Sequence, residues 1–268
     1  MPLVPTRVVR TFKYAVNHDG IDDYSVIQPF IVYGWPEITI EEWIYVIYPK
    51  ASPNYSVTSI IGEPWVDYPA TANYTLPYYY YNYFISYWKV RTEYGWVKVY
   101  SYQWFTKKGQ WMHLIRRFTA SREYSVWING DKEYYTTVPS TERTVLEWNP
   151  DTATYPERYK RFIMGAGHIF TEWTEWRYAI LRIYRSALTD DQIMWNRDNP
   201  DDPVSNDLEV SLYAHPDHIR DIDNDGILEW IDLSGKGHHA KLYGARLVEL
   251  VKEPARVLSP ARVLAPAR

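Results

Sequence analysis

Short runs of alternating apolar and polar residues, punctuated by turn residues, make up most of the chain. ITIEEWIYVIYP, Ile38 to Pro49, is crowded with β-branched and aromatic residues and predicts a strand. Trp96 to Phe105, Trp111 to Ala120 and Glu175 to Arg185 predict three more, and RFIMGAG, Arg161 to Gly167, predicts a strand running into a glycine turn. In REYSVWINGDKEYY the side chains of Tyr124, Val126 and Ile128 fall on one face, and Asn129-Gly130 supplies the left-handed pair of a type I′ turn. A tight hairpin is expected there. Residues 139–160 are polar and proline-containing and predict a loop. Only one helix is expected, at about 190–197: Thr189 and Gln192 form a capping box, and Asn199-Pro200 stops the turn. Strand after strand with almost no helix predicts a β-sandwich or jelly roll.

Composition sharpens this picture. The 268 residues include 26 Tyr and 13 Trp but only 12 Gly, and Tyr and Trp combine strand preference with a polar tip suited to contact surfaces. A formal net charge of −4 offers no basic excess for a nucleic-acid backbone, so no nucleic-acid partner is expected. No apolar run is long enough for a membrane span, so no membrane insertion is expected, and MPLVPTRVVRTF has no continuous apolar stretch of the secretory kind. The absence of cysteine excludes disulfides and thiolate sites.

Four segments together carry a resemblance. GQWMHLIRRFTASREYSVWINGDKEY, Gly109 to Tyr134, resembles the W-x-H hairpin of laminin-G-like domains, which are concanavalin A-like jelly rolls. RFIMGAG with EWRYAILRIYRSALTDDQI is similar to their closing I-G…V-R-I-Y-x-R-A-L segment, HDGIDDYSVIQP to their early D-G-x-D-D-Y strand, and DLSGKGHHAKLYGARLV to their D-x-S-G-N-G-N-H-G-x-L-Y-G segment. The resemblance implies an all-β concanavalin A-like sandwich with one short helix, of the kind found in surface proteins of hyperthermophilic archaea and their viruses.

The order of the segments departs from that pattern. DLSG, which ordinarily precedes the D-G-x-D-D-Y strand, here begins at Asp232, after everything else. Either the domain is permuted and its own late strand closes its own sheet, or residues from about 207 leave the subunit and complete a neighbour's open edge. The expected division is a jelly-roll body at 1–206 with a Tyr-rich insertion at about 50–100, a displaced first-strand segment at 207–250, and an extended tail at 251–268. The tail repeats every six residues: Arg256, Val257 and Leu258, then Arg262, Val263 and Leu264, ending at Arg268. Six is a multiple of both two and three, so each repeat shows the same face in a strand or in polyproline II, and about 18 extended residues reach roughly 60 Å. These residues are expected to make inter-subunit contacts, the alternative being packing along their own domain.

Candidate chemistry is sparse. DIDNDGILEWID follows the D-x-D-x-D-G calcium-loop pattern: Asp221, Asp223 and Asp225 offer carboxylates, Ile227 a carbonyl and Asp232 the last ligand, the alternative being an acidic turn. His215, Asp217 and His218 could ligate a transition metal but read better as loop residues, as do His238 and His239. Asn54 and Asn73 head N-x-[ST] sequons. Tyr78, Tyr79, Tyr80 and Tyr81 are candidates for stacking on sugars, for contact with a second subunit, or for burial in a covered sheet. The closely spaced acids of jelly-roll glycosidases, E-x-D-x-x-E, are missing, and Glu172 and Glu175 lie three apart, on opposite faces of a strand, so no enzymatic activity is expected. The resulting expectation is a homopolymeric filament subunit, extracellular or on a virion surface, joined by its terminal segments and serving attachment. The alternative is a lectin-like module that binds host surface glycans.

Overall fold

The computed structural model describes residues 11–48, 59–61, 71–78, 83–90, 98–101, 110–140, 144, 146, 147, 149–152, 157, 160–166 and 175–250; at 46–48, 60, 71–78, 83–90, 98–101, 134 and 152 the backbone alone is described. Asn54, Tyr79, Tyr80, Tyr81, Arg256, Val257, Leu258, Arg262, Val263, Leu264 and Arg268 lie outside the described residues, and Asn73 and Tyr78 are described by backbone only. Among the described residues no helix is long and apolar enough to cross a membrane.

Strands follow one another along the chain. β1 (Tyr14–Asp19), β2 (Tyr24–Ile27) and β3 (Ile38–Tyr48) precede the insertion, which carries β4 (Ser59–Ile61), β5 (Thr71–Tyr78), β6 (Tyr83–Val90) and β7 (Lys98–Ser101). β8 (Trp111–Phe118), β9 (Glu123–Ile128), β10 (Asp131–Thr137), β11 (Phe162–Met164) and β12 (Glu175–Tyr184) lead to α1 (Asp190–Asp198). β13 (Leu208–Tyr213), β14 (Ile219–Arg220), β15 (Glu229–Trp230), β16 (Ala240–Tyr243) and β17 (Arg246–Glu249) finish it. One sheet has the order β10-β9-β8-β3-β12-β1-β17, with β13 also on β12; a second has β14-β15-β16-β2-β11-β4; β5, β6 and β7 form a third. The pairings within the first two sheets are antiparallel, and the architecture is the expected β-sandwich with one short helix.

Local chemistry set these elements as the sequence predicted. Asn129 and Gly130 take φ values of 55° and 88°, closing the β9–β10 hairpin. Tyr124, Val126 and Ile128 enter the core between the sheets, while Trp127 packs outward with Ile115, Leu188 and Ile193. Thr189 caps α1 as half of a reciprocal capping box with Gln192. Within the insertion β5 and β6 pair from Thr71–Val90 to Tyr78–Tyr83.

The late segment closes its own sandwich. β16 pairs with β2, Tyr243 opposite Tyr24, and β17 pairs with β1, Ala15 opposite Val248. The Leu250 amide donates to the Lys13 carbonyl at 2.8 Å, so the two ends of the described sandwich lie side by side. Of the two solutions to the displaced DLSG segment, this chain adopts the permuted, self-closing one.

Candidate functional site

Residues 28–37 carry the chain from β2 in one sheet to β3 in the other. Phe30 and Val32 are buried, and the intervening side chains therefore face out: Ile31 is 42% and Tyr33 46% exposed. Trp35, half-buried against Phe30, carries the Arg185 guanidinium 5.9 Å from its ring centre. The loop is firmly held. Phe30 N donates to Lys160 O at 2.8 Å, Gly34 N to Leu146 O at 2.7 Å, and Trp35 N to Val32 O at 3.1 Å. Gly34 sits at φ 80°, a conformation that costs glycine little. Glu37 accepts from Ala120 N and Ala187 N, tying two neighbouring turns to the base of the loop. The loop thus turns Ile31 and Tyr33 outward and holds Trp35, packed on Phe30, beside the Arg185 guanidinium. Sequence reasoning missed it; FIVYGW is apolar and aromatic throughout and does not itself distinguish inward from outward side chains.

At the other end of β2 lies the acidic hairpin turn between β14 and β15. The carboxylates of Asp221, Asp223 and Asp225 offer ligand atoms within 4.8 Å of one another. Asp221 Oδ2 accepts from Gly226 N at 3.0 Å, Asp223 Oδ1 from Asp225 N at 3.3 Å, and Asp225 Oδ1 from Ile227 N at 2.8 Å. Lys241 Nζ, on β16, donates to Asp223 Oδ2 at 2.8 Å and to Asp225 Oδ2 at 2.5 Å. That pairing raises the lysine pKa and, with the Ile227 amide, lowers that of Asp225.

Asp232 stands apart from this cluster. It is buried, its Oδ1 accepts from Ser211 N and Ser234 N, and its Oδ2 accepts from Ser234 Oγ and His238 N. Its own amide donates to His239 Nδ1 at 2.9 Å. Asp232, Ser234, His238 and His239 thus make the DLSGKGHH motif a self-satisfied turn that ties β13 to β16. His215 and His218 are likewise used locally: His215 Nδ1 accepts from Asp217 N, and His218 Nδ1 bonds Tyr213 O. A third acidic group, Asp19, Asp22 and Asp23, comes from the D-G-x-D-D-Y segment.

The most buried charges serve the scaffold. Glu42 and Arg116 lie between the sheets, Arg116 Nη2 donating to Glu42 Oε2 at 3.0 Å and to Ser59 Oγ. Glu41, its neighbour, points the other way, beneath α1. It accepts from Arg182 Nη1 at 3.1 Å and Asn196 Nδ2 at 2.7 Å, and bonds His113 Nε2 at 3.0 Å. Burial alone would raise its pKa, but Arg182, His113 and Asn196 hold it down at about 2.

No family model matches the chain, and no curated protein matches it. Solved structures do. A candidate carbohydrate-binding protein from Bacteroides ovatus shares the fold with a TM-score of 0.59 at 14% identity, over 90% of this chain and 61% of its own length. A heptameric SAP-like pentraxin from Limulus polyphemus gives 0.46 at 12% identity, over 71% of this chain and 84% of its own. The binding domain of botulinum neurotoxin DC, solved in complex with SialylT, gives 0.46 at 14% identity, over 74% and 43%. The chain spans 61% of the length of the Bacteroides protein, and at this identity the likeness is one of fold: the chain is a β-sandwich of the jelly-roll type.

Proposed function

We propose that the chain is a lectin-like module that binds cell-surface glycans without turning them over, and that it acts extracellularly or on a virion surface. One observation carries the reading: the loop between β2 and β3 exposes Ile31 and Tyr33 and holds the half-buried Trp35 beside the Arg185 guanidinium. A sugar ring presents one apolar face and a rim of hydroxyls. An exposed tyrosine and a partly buried tryptophan supply the matching flat surface, and a guanidinium supplies hydrogen-bond donors for the rim. The similarity in fold to the Bacteroides protein, whose description names carbohydrate binding, supports the same reading. The absence of an E-x-D-x-x-E pair from the sequence favours binding over hydrolysis.

Assembly into a filament by strand exchange makes a different demand, an open edge on which a neighbour's residues 207–250 can lie. In this chain β16 and β17 already occupy the edges of β2 and β1.

The test is a glycan array probed with the full chain and with Tyr33→Ala and Trp35→Ala, each checked for unchanged circular dichroism. Saturable binding to a defined glycan class, weakened tenfold or more by Tyr33→Ala, supports the module as a lectin. A blank array, or binding that ignores both substitutions, rejects this surface and this reading.

A further inference from the structure

The Arg185 guanidinium carries a charge that no carboxylate answers. Arg185 follows directly on β12, and the backbone there is fixed. Arg185 N donates to Asp207 O at 2.8 Å, Ser186 O accepts from Thr39 Oγ1 at 2.8 Å, and Ala187 N donates to Glu37 Oε2 at 3.1 Å. The side chain is exposed, and its guanidinium, 5.9 Å from the Trp35 ring centre, makes no ion pair and no hydrogen bond among the described residues. Elsewhere Arg117, Arg122 and Arg197 each meet a carboxylate, from Asp190, Glu147 and Asp198.

The acids close to the loop in sequence or structure are committed to other groups. Glu37 is the one carboxylate of residues 28–37, and its oxygens accept from two amides, Oε1 from Ala120 N at 2.9 Å and Oε2 from Ala187 N. Lys160, whose carbonyl anchors Phe30 N, pairs with Asp151 at 2.7 Å and with Glu157 at 3.1 Å.

An exposed ring stands close by along the chain. Trp35 N donates to Val32 O, and Gly34 holds φ 80°, so residues 32–35 form a four-residue turn with Tyr33 and Gly34 at its tip. Tyr33 is 46% exposed at that tip, two residues from the tryptophan that carries the cation.

A ring attracts a guanidinium over its face and leaves the N–H edge available as donors. A sugar hydroxyl can accept one of those bonds but leaves the charge unanswered. A carboxylate or a sulfate ester accepts two in parallel and answers the charge as well.

We propose that Arg185, held beside Trp35, is the acidic-group subsite of the glycan surface: the glycan carries a carboxylate or a sulfate ester, which the guanidinium binds while a sugar ring lies against Tyr33. The inference rests on the glycan reading above and narrows it to acidic sugars.

The test is an array of oligosaccharides bearing uronic acid, sialic acid or sulfate, each printed beside a neutral counterpart with the carboxyl reduced to an alcohol or the sulfate removed. The full chain should prefer at least one acidic member over its counterpart by about tenfold or more, and the preference should fall as sodium chloride is raised. Arg185→Met should erase the difference between the two members, whereas Tyr33→Ala should weaken both. Circular dichroism establishes that each variant is folded. The series that responds tells carboxylate from sulfate. Equal binding of acidic and neutral members by the parent, or a preference that survives Arg185→Met, overturns the subsite and leaves the glycan reading standing. An array blank for acidic and neutral members alike removes the glycan reading, and the subsite with it.

Discussion

Tyr24 and Tyr243 stack face to face, ring centres 4.6 Å apart and planes 13° off parallel, across the junction of β2 and β16. One ring belongs to the first segment of the described chain and the other to nearly the last. Their contact, together with the bond from Leu250 N to Lys13 O, means that sequence order and spatial order have come apart.

A permutant should therefore fold. A chain running 207–250, then a short glycine-serine linker, then 11–206, restores the segment order of laminin-G-like domains and cuts at Asp207, a turn residue with φ 56°. It is expected to be monomeric by light scattering and to melt within about 5 °C of the parent, since loop closure over such a gap changes stability by only about 1 kcal/mol. Aggregation or loss of the cooperative melt would mean that the junction at 206–207 is indispensable to the fold.

Glu41 lies at the centre of a buried set that includes Arg182, His113 and Asn196. Glu41→Gln keeps the shape but leaves the Arg182 guanidinium uncompensated in the interior. A loss of about 3–5 kcal/mol is expected, read as a shift of the denaturant midpoint with little change in slope. The pair Glu41→Leu with Arg182→Met should recover much of it, since apolar replacement of a whole buried pair is often neutral.

Much of the fold was legible because it rested on local chemistry. Asn129-Gly130, Thr189 with Gln192, and the alternation of Tyr124, Val126 and Ile128 each dictate their own geometry and needed no distant partner. Glu41-Glu42 was not legible. Adjacent charges in a strand read as one solvated residue and one tolerated one, whereas each here is fully buried because Arg116 and Arg182, far along the chain, meet them on opposite faces. The acidic turn was legible as a pattern, but its membership was not. Spacing alone put Asp232 in the last place; only the fold brings Lys241 to the turn and holds Asp232 in the DLSG loop. The exposure of Ile31 and Tyr33 was hidden because FIVYGW is apolar and aromatic throughout, and only the packing of Phe30 and Val32 decides which side chains face out.

Stability should fall on mild acidification. His18 is fully buried, bonded through Nε2 to Ser25 Oγ at 2.8 Å, and burial lowers its pKa from 6.5 to about 3. The folded state thus refuses a proton that the unfolded chain accepts. Its contribution is complete above pH 6.5 and is lost as pH falls towards 3, by up to about 1.4 kcal/mol per pH unit. Glu41, also depressed, adds a second loss between about pH 4.5 and 2. Melts at pH 7, 6, 5 and 4 should show a falling Tm, and His18→Gln should flatten the slope between pH 6.5 and 5. An unchanged slope in that variant would exclude His18 as its source.

Gly244 marks the point where the late segment crosses from one sheet to the other, between the end of β16 and the start of β17. Asp23 marks the equivalent crossing between β1 and β2, and the two crossings lie against each other: a Cβ added to Gly244 would overlap Asp23 Oδ1. Gly244 also holds φ 74°, so a side chain there meets both backbone strain and a collision. Gly237 separates the two effects. It holds φ 78°, yet a Cβ there would meet nothing within 4 Å. Gly237→Ala should therefore cost about 1 kcal/mol from backbone alone, and Gly244→Ala about 2–4 kcal/mol, a fall in Tm of roughly 5–15 °C. Asp23→Ala combined with Gly244→Ala should bring the cost of the alanine back towards that at Gly237. Equal losses at the two glycines would mean that the crossings do not press on each other, and that closure of the sandwich rests on the β2–β16 and β1–β17 ladders alone.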